Sequence, residues 1–354
     1  MRISLLRQRL HDLGAKPCHE DRFMRGWSQV CSYDRKSSPA ATFFPLALRN
    51  ELPAIEAELN GLARLRSEHP ANGRENHDRS PADALRATSN NEGVARLLVE
   101  LHDGQMVESV LLPRGGLCVS TQVGCAVGCV FCMSGRDGLL RQLGSAEIVA
   151  QVVLARKRRA VSKVVFMGMG EPAHNLDNVL EAIEVLGMQG NIGHKNLVFS
   201  TVGDLRVFER LPEEKVKPAL ALSLHTTNAE LRARLLPNAP KIPVEELVER
   251  AEAYARATGY PVQYQWTLID GVNDSDAELE RIAQLLSGKY AIMNFIPFNP
   301  VDGLPYRRPS AERIAAMAYA LNRQGIYSRI RDSAGQEVEG ACGQLRARAA
   351  KARC

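Results

Sequence analysis

Seven short apolar segments alternate with helical patterns between residues 117 and 331, and this alternation is the feature that most limits the possible folds. Parallel strands need long crossover connections, which amphipathic helices usually provide. The predicted strands are Leu117–Gln122, Lys163–Met169, Leu197–Val202, Ala219–His225, Val262–Leu268, Ala291–Phe298 and Tyr327–Arg331. Six repeated βα units predict an α/β fold with a partial (βα)6 barrel, whose functional residues collect at the carboxyl ends of the strands.

The first 110 residues follow a different pattern. Helical periodicity with arginines and aromatic residues predicts a small helical accessory domain over residues 1–70. Residues 71–110 are predicted to hold a polar linker and a β-hairpin of Ala95–His102 and Met106–Leu112 around the turn dipeptide Asp103-Gly104. The predicted barrel core then covers residues 111–345, and a basic tail covers residues 346–354.

Bulk properties set broad limits on the chain. It has 354 residues, 45% of them hydrophobic, and no run approaches the roughly 18 apolar residues that a membrane span needs. The charged N-terminal segment lacks a signal-peptide core, so we expect a cytoplasmic protein without membrane contact. Net charge is +5, which is compatible with a nucleic-acid partner but also with many other enzymes.

Three of the eight cysteines stand close together in the segment VGCAVGCVFCMSG. Cys125, Cys129 and Cys132 have the spacing Cys-x3-Cys-x2-Cys, and no fourth cysteine follows nearby. A four-iron cluster takes one thiolate per iron, so three thiolates leave one iron open to another ligand. The alternatives are a structural zinc site, which usually shows a second cysteine pair, and three buried core cysteines. The spacing resembles the radical SAM signature, in which the open iron of a [4Fe-4S] cluster binds S-adenosylmethionine.

Small polar residues follow several of the predicted strands. The segments are GMGEP at 168–172, FSTVG at 199–203, ALSLH at 221–225 and IPFNP at 296–300, and their residues suit ribose hydroxyls, a carboxylate or an adenine edge. Taken alone, each polar residue could equally cap a loop, and His225 could be a structural histidine. Several such strand ends on neighbouring βα units favour a shared site.

The complete set of motifs resembles the RlmN/Cfr family of radical SAM RNA methyltransferases, which methylate adenosine at ring carbon C2 or C8. The matching segments are LCVSTQVGCAVGCVFC, VVFMGMGEPAHNL, STVG, ALSLH, GVND, FIPFNP and GACGQL. They cover about Val107 to Leu345 in the order that the family shows, and residues 1–70 resemble the family's accessory domain more weakly. The resemblance implies RNA binding by that domain and a substrate in ribosomal or transfer RNA. It also implies a strand-end site for S-adenosylmethionine, formed by Gly170, Glu171, Ser200, Ser223, Leu224, His225 and Asn299.

The same resemblance implies roles for three further residues. Cys342 would become S-methylcysteine by taking a methyl group from one S-adenosylmethionine, and a second molecule would supply a radical that activates this methyl for addition to adenine. Cys118 would release the product by forming a disulfide with the sulfur of Cys342. Glu108 would accept the proton from the reacting carbon of the adenine ring. Without the resemblance, Glu108 would be predicted as an exposed carboxylate on a strand. Cys342 could be a small buried residue, but its neighbours Ala341 and Gly343 and the few apolar residues around it favour a flexible loop. We also expect a reducing partner such as flavodoxin and a monomeric enzyme.

Some segments depart from the family pattern or leave its function open. Val202 stands where the family often has serine and the C8 branch more often has an apolar residue, and the segment MSGRDGLLR after Cys132 also differs from the usual C2 pattern. Pro172 after GMGE, in contrast, favours C2. We therefore expect C2 methylation, with a C8-specific enzyme, a paralogue with its own substrate, a radical SAM enzyme with a non-RNA substrate and an RNA-binding iron–sulfur protein as alternatives. The basic segment at residues 155–163 and the tail at 346–354 could contact RNA or form solvated faces.

Overall fold

The computed structural model describes residues 1–35, 39–70, 93–300 and 303–331. Its main element is a sheet of ten strands in the order β1-β2-β3-β4-β7-β8-β9-β10-β11-β12, and β5 and β6 form a separate pair. The strands are β1 Ala63–Pro70, β2 Ala95–Leu101, β3 Met106–Leu112, β4 Gly116–Cys118, β5 Gln122–Gly124, β6 Leu139–Gln142, β7 Lys163–Phe166, β8 Leu197–Thr201, β9 Ala219–Ser223, β10 Val262–Leu268, β11 Ala291–Pro297 and β12 Ser328–Ile330.

Eleven α-helices accompany these strands in the described part of the chain. They are α1 Ile3–Asp12, α2 Pro17–Gln29, α3 Ala40–Phe43, α4 Leu46–Gly61, α5 Ser145–Arg156, α6 Leu176–Met188, α7 Leu205–Arg210, α8 Ala229–Leu235, α9 Val244–Thr258, α10 Asp276–Leu286 and α11 Ala311–Arg323. Over residues 1–35, 39–70, 93–300 and 303–331, no helix is both long and apolar enough to cross a membrane.

The strands from β4 to β12 in the main sheet run parallel, with a helical connection between each pair of neighbours. Six βα units therefore precede the last strand, and the predicted partial (βα)6 barrel is confirmed. Each of the seven predicted strands overlaps an observed strand. The alternation of apolar segments and amphipathic helices was a sufficient signal because parallel strands can be joined only by such crossovers.

The predicted strand at Leu117–Gln122 is wrong in its extent. It ends at Cys118, and Gln122 begins β5, which pairs antiparallel with β6. This small hairpin brackets the loop at 125–138 that carries the clustered cysteines. Isolated short strands carry little hydrophobic periodicity, so the β5-β6 pair gave no signal of its own.

The N-terminal region differs in part from the predicted helical domain. Helices α1 to α4 end at Gly61, and β1 then pairs antiparallel with β2, which in turn pairs with β3 around Asp103-Gly104. The backbone N–H of Ile3 donates to Ser145 Oγ at 2.8 Å, and that of Ser4 donates to Glu181 Oε1 at 3.0 Å. The helices are thus joined to α5 and α6 through both hydrogen bonds and a continuous apolar core. The division into separate domains stays a prediction.

The two faces of the parallel sheet have different side chains. Large residues such as Tyr264 and Trp266 pack outward against the helices. The alternate residues face the interior of the barrel, where Cys118, Val165, Val198 and other small apolar side chains form a separate cluster. Because side chains alternate along a strand, this assignment fixes which polar residues face the interior.

Candidate functional site

The cysteine loop is held between the β5-β6 hairpin and the C-terminal end of α8. The backbone N–H of Cys125 donates to Gly138 O at 3.0 Å, and that of Val130 donates to Leu235 O at 3.1 Å. Glycine is required at Gly128 because its φ is +67°, and a Cβ on Gly135 would lie 2.9 Å from the Gly128 Cα. The loop therefore has a defined, tightly packed conformation at the carboxyl end of the barrel.

The three cysteines of this loop influence one another electrostatically. Burial raises the pKa of the Cys125 thiol to about 12, and the charges of Glu171 and Cys132 add to the increase. Burial and the charges of Cys132 and Cys125 also raise the pKa of Cys129. Such thiols ionise when a metal ion binds them, and thiolate is the usual ligand of iron–sulfur clusters. The donor set fits a [4Fe-4S] cluster, although no described group of three His, Cys, Asp or Glu side chains has the geometry to hold a single metal ion.

Glu171 lies beside this loop at the end of the β7 segment. Its Oε1 accepts a hydrogen bond from Ala173 N at 3.1 Å, and its Oε2 accepts one from Val202 N at 3.0 Å. Burial raises the pKa of the carboxyl group to about 7, although the hydrogen bonds act in the opposite direction. The carboxylate therefore connects the ends of two parallel strands. Its predicted contact with the amino group of S-adenosylmethionine stays a prediction.

His225 follows β9 in an unusual backbone conformation, with φ of +64°. The ring is 6% exposed, and its Nδ1 accepts a hydrogen bond from Thr267 N at 3.0 Å. Burial and the charge of Arg232 lower its pKa to about 3, so the ring is neutral and carries its proton on Nε2. It also packs edge-to-face on Phe131, at 4.9 Å between centroids. His225 thus connects the strand ends to the cysteine loop.

The remaining strand-end candidates lie along the same edge. Ser200 is in β8, Ser223 ends β9, Leu224 is buried after it, and Asn299 follows β11. Leu224 N donates to Gln265 O at 3.0 Å and continues the strand pairing. The parallel arrangement brings these residues to one end of the barrel, as predicted, while their individual contacts with a cofactor stay predictions.

Arg232 in α8 was missed in the sequence analysis. Its buried guanidinium donates to the carbonyl oxygens of Val202 and, at 3.5 Å, Ser223. Burial lowers its pKa to about 10, whereas the charges of Cys129 and Glu171 raise it. The Nε is buried and has no hydrogen-bond partner among the described residues. A carboxylate would satisfy this donor, so the site fits the amino-acid end of S-adenosylmethionine; no sequence motif distinguished this arginine from other helix arginines.

Glu108 and Cys118 face the barrel interior from adjacent strands. Cys118 in β4 pairs with Val110 in β3, two residues from Glu108, so the two side chains emerge on one face. Glu108 is 1% exposed, so the alternative of a surface carboxylate is wrong. Its Oε2 forms a buried ion pair with Arg96 Nη1 at 3.5 Å. Arg96 orients the carboxylate, and the sequence analysis did not identify it.

A second arginine lies near the Cys118 sulfur. Burial lowers the pKa of Arg331 and the charge of Arg329 lowers it further, while the charge of Cys118 raises it. Arg331 follows β12, so this interaction connects the last strand to β4 across the interior.

The basic segment at 155–163 is largely used within the protein. Arg156 donates to the carbonyl oxygens of Ser28 and Gly190, at 2.6 and 2.7 Å. Arg159 donates to Gly116 O at 3.0 Å and also to the carbonyl oxygens of Gly93 and Leu112. These two arginines hold neighbouring loops together, while contact of the segment with RNA stays a prediction.

The predicted relay cysteine, Cys342, and the basic tail lie outside the described residues. The six described cysteines, including the buried Cys118, form no disulfide with one another. The predicted disulfide between Cys118 and Cys342 therefore receives no support from the structure. It enters below only as a step of the proposed reaction.

Comparisons with known proteins agree with this site. A model of the radical SAM superfamily matches residues 119–286. The chain is similar to a "Probable RNA methyltransferase" of Azoarcus sp. (strain BH72), at 66% identity over 99% of this chain and 96% of that protein. A "Probable RNA methyltransferase" of Methylibium petroleiphilum is 67% identical over 99% of this chain and 94% of that protein. The crystal structure of a radical SAM methyltransferase from Sphaerobacter thermophilus has a TM-score of 0.77 and 34% identity, and covers 97% of each chain.

Proposed function

The chain belongs to the radical SAM superfamily, and from that premise we propose that it is an RNA methyltransferase that modifies carbon C2 of an adenosine in ribosomal or transfer RNA. The observation that carries the proposal is the 66% identity, over nearly the whole chain, to a protein named for RNA methylation. The position of Glu108 and Cys118 on one interior face supports a carbon-methylating chemistry, because such a reaction needs a base and a release group near the same adenine atom.

In this proposal the cysteine loop and the strand ends hold the two cofactors. Cys125, Cys129 and Cys132 bind the [4Fe-4S] cluster, and Gly170, Glu171, Ser200, Ser223, Leu224, His225 and Asn299 surround S-adenosylmethionine. When bound, the cofactors supply the methyl group and a carbon-centred radical, and two S-adenosylmethionine molecules are used in each turnover. Glu171 and His225 hold the cysteine loop and the strand ends in position through the backbone hydrogen bonds described above.

The protein's own residues carry the methyl group. The Cys342 thiolate forms a carbon–sulfur bond to the sulfonium methyl, and the bond between that methyl and the cofactor sulfur breaks with its electron pair. The methyl carbon on Cys342 would lose one hydrogen atom to the cofactor-derived radical and bond to C2 of adenine, and the adduct would then give up one electron to the cluster and the C2 proton to Glu108. The Cys118 thiolate would bond to the Cys342 sulfur while the bond between that sulfur and the methylene carbon breaks, and the released electron pair with a proton from Glu108 would complete the methyl group of the freed base. Two electrons from the reducing partner would return the resulting disulfide to thiols. An electron donor such as flavodoxin supplies the reducing electron, and the enzyme acts as a monomer.

Mass spectrometry of nucleosides tests this function. RNA from cells that lack the gene is incubated anaerobically with the reconstituted protein, S-adenosylmethionine and a reductant. We expect 2-methyladenosine to appear, whereas 8-methyladenosine would assign the C8 reaction, and no methylated adenosine in any RNA fraction would refute the function.

The relay is tested through covalent intermediates. The Cys342 peptide should gain one methyl group after incubation with S-adenosylmethionine. The Cys118→Ala variant should accumulate protein covalently bound to RNA, because the release step is blocked. Cys31→Ala, at an exposed position, is the control and should leave turnover unchanged. If active Cys118→Ala protein released methylated RNA without accumulating the covalent protein–RNA adduct, the proposed role of Cys118 would be refuted.

A further inference from the structure

The barrel interior holds two buried amides in adjacent strands. Gln265 of β10 pairs with Asn294 of β11, so their side chains lie next to each other on the interior face. They are 4% and 0% exposed, respectively. On this face the other strands contribute mainly small apolar residues such as Val165, Val198 and Ala221. Two amides in such a setting need hydrogen-bond partners.

Each amide uses one of its two polar atoms within the protein. Gln265 Nε2 donates to Gln263 O at 3.0 Å, and Asn294 Oδ1 accepts from Arg329 Nε at 2.8 Å. The other two atoms, Gln265 Oε1 and Asn294 Nδ2, are buried and have no partner within the described residues. A buried polar atom without a partner costs roughly 1–3 kcal/mol, so a free acceptor and a free donor side by side indicate a bound group.

We propose that Gln265 and Asn294 bind the N6/N7 edge of the adenine base of the substrate nucleotide. Gln265 Oε1 accepts a hydrogen bond from the exocyclic N6 amine, and Asn294 Nδ2 donates one to N7. Asparagine and glutamine amides pair with this edge of adenine, and guanine would present an acceptor to the acceptor of Gln265. The inference rests on the proposed function, and it adds the residues that select the base.

The edge that is bound also decides which carbon reacts. In adenine, C2 lies on the side of the ring system away from N6 and N7, whereas C8 is bonded to N7. A base held by its N6/N7 edge on β10 and β11 thus directs C2 away from these strands. Cys118 and Glu108 lie on the same interior face. Their strands, β4 and β3, are separated from β10 and β11 by β7, β8 and β9 in the sheet. This arrangement favours reaction at C2.

The adenine of S-adenosylmethionine has the same chemical edge, so the test must separate the two sources. Each of two variants removes one hydrogen-bonding group. Gln265→Met loses the acceptor, and Asn294→Asp loses the donor but keeps an oxygen for Arg329. The probes are uridine nonamers with one central adenosine, 7-deazaadenosine or purine riboside, and binding to the anaerobically reconstituted holoprotein is measured by fluorescence anisotropy.

Wild-type protein should bind the adenosine nonamer about tenfold more tightly than either analogue, as expected for loss of one base hydrogen bond. Asn294→Asp should abolish the preference for the adenosine nonamer over the 7-deazaadenosine nonamer. Gln265→Met should abolish the preference for the adenosine nonamer over the purine riboside nonamer. Both variants should keep the wild-type affinity for the analogue that already lacks the matching atom, which shows that they fold.

Three results would overturn the inference. The first is a wild type that binds all three nonamers equally. The second is a pair of variants that keep the wild-type preference for the adenosine nonamer. The third is a pair of variants that bind S-adenosylmethionine more weakly while their preferences among the nonamers persist. The last result would assign the amides to the cofactor. Methylation of cellular RNA by the wild type is measured in parallel, so failure of the proposed function is detected independently of these binding ratios.

Discussion

The two sides of the site are stabilised in different ways. The cluster side comprises the loop at 125–138 with Glu171 and His225, whose polar atoms bond mainly to backbone amides of Ala173, Val202 and Thr267. The relay side comprises Glu108, Arg96, Cys118 and Arg331, which interact through charged side chains. Backbone partners are fixed by the fold, whereas side-chain partners can be removed singly. The relay side can therefore be altered by substitution without moving the strands that carry it.

The largest effect is expected on the cluster side. Cys125→Ala, Cys129→Ala or Cys132→Ala should reduce bound iron from about four atoms per chain to nearly none, because each thiolate holds one iron. Iron content and the absorption of anaerobically reconstituted protein measure the loss. Cys18→Ala, at an exposed position, is the control and should keep full iron content. Retention of the cluster in any of the three variants would remove that cysteine from the ligand set.

On the relay side, the buried Arg96–Glu108 pair should contribute strongly to stability. Arg96→Met removes the arginine partner of the buried Glu108 carboxylate, and we expect a loss of about 3–5 kcal/mol in the free energy of unfolding. The double variant Arg96→Met/Glu108→Met should recover most of this loss but have no methyltransferase activity. Urea unfolding and RNA methylation are the measurements.

The matched control for this pair is exposed. Arg25 and Asp21 form an ion pair at 2.7 Å within α2, and Arg25→Met should change the free energy of unfolding by less than about 1 kcal/mol. If the two arginine substitutions have equal effects, the distinction between the relay side and ordinary surface charge pairs is wrong.

The strands and the cluster side could be predicted because their signals are local. A strand needs only a short apolar run, and the cysteine spacing is contained in eight residues. Parallel topology then brings the strand ends together, so Glu171 and His225 could be placed at one edge without knowledge of their contacts. The β1 strand and the β5-β6 hairpin were missed since pairing with a distant partner, and not local pattern, makes them strands.

Arg96, Arg232 and Arg331 could not be recognised from the sequence. Arginine is common on exposed helices and strands, and nothing in its immediate neighbours shows that a particular one is buried. The register of the β2-β3 hairpin places Arg96 within reach of Glu108, but that argument needs the hairpin and the interior face together. The ionic partners on the relay side thus depend on tertiary structure, while Glu108 and Cys118 were identified through family resemblance alone.

His225 provides a pH test of the backbone-bonded cluster side. Its pKa is about 3 in the folded protein and about 6.5 in an unfolded chain. Between these values the unfolded state binds more protons, so the free energy of unfolding falls as the pH falls. Relative to His225→Asn, cluster-free wild type should lose about 2–3 kcal/mol between pH 6.5 and 4.5. Asparagine tolerates the positive φ and keeps an acceptor for Thr267 N.

Urea unfolding at several pH values measures this difference. His11→Asn is the control because His11 is largely exposed, and its pH dependence should match that of the wild type. A His225→Asn variant that loses stability in parallel with the wild type would show that the ring is protonated in the folded protein, and that its hydrogen bond from Thr267 does not hold it neutral.

The smallest effect concerns the helix that carries Arg232. Asn228 caps α8 by accepting a hydrogen bond from Leu231 N at 2.9 Å, and Ser310 caps α11 by accepting one from Arg313 N at 3.1 Å. Asn228→Ala and Ser310→Ala should each lower the free energy of unfolding by about 1 kcal/mol. Only Asn228→Ala should also accelerate loss of the cluster under air, since α8 connects Arg232 and Leu235 to the cysteine loop. Equal rates of cluster loss would mean that the cap of α8 does not contribute to retention of the cluster.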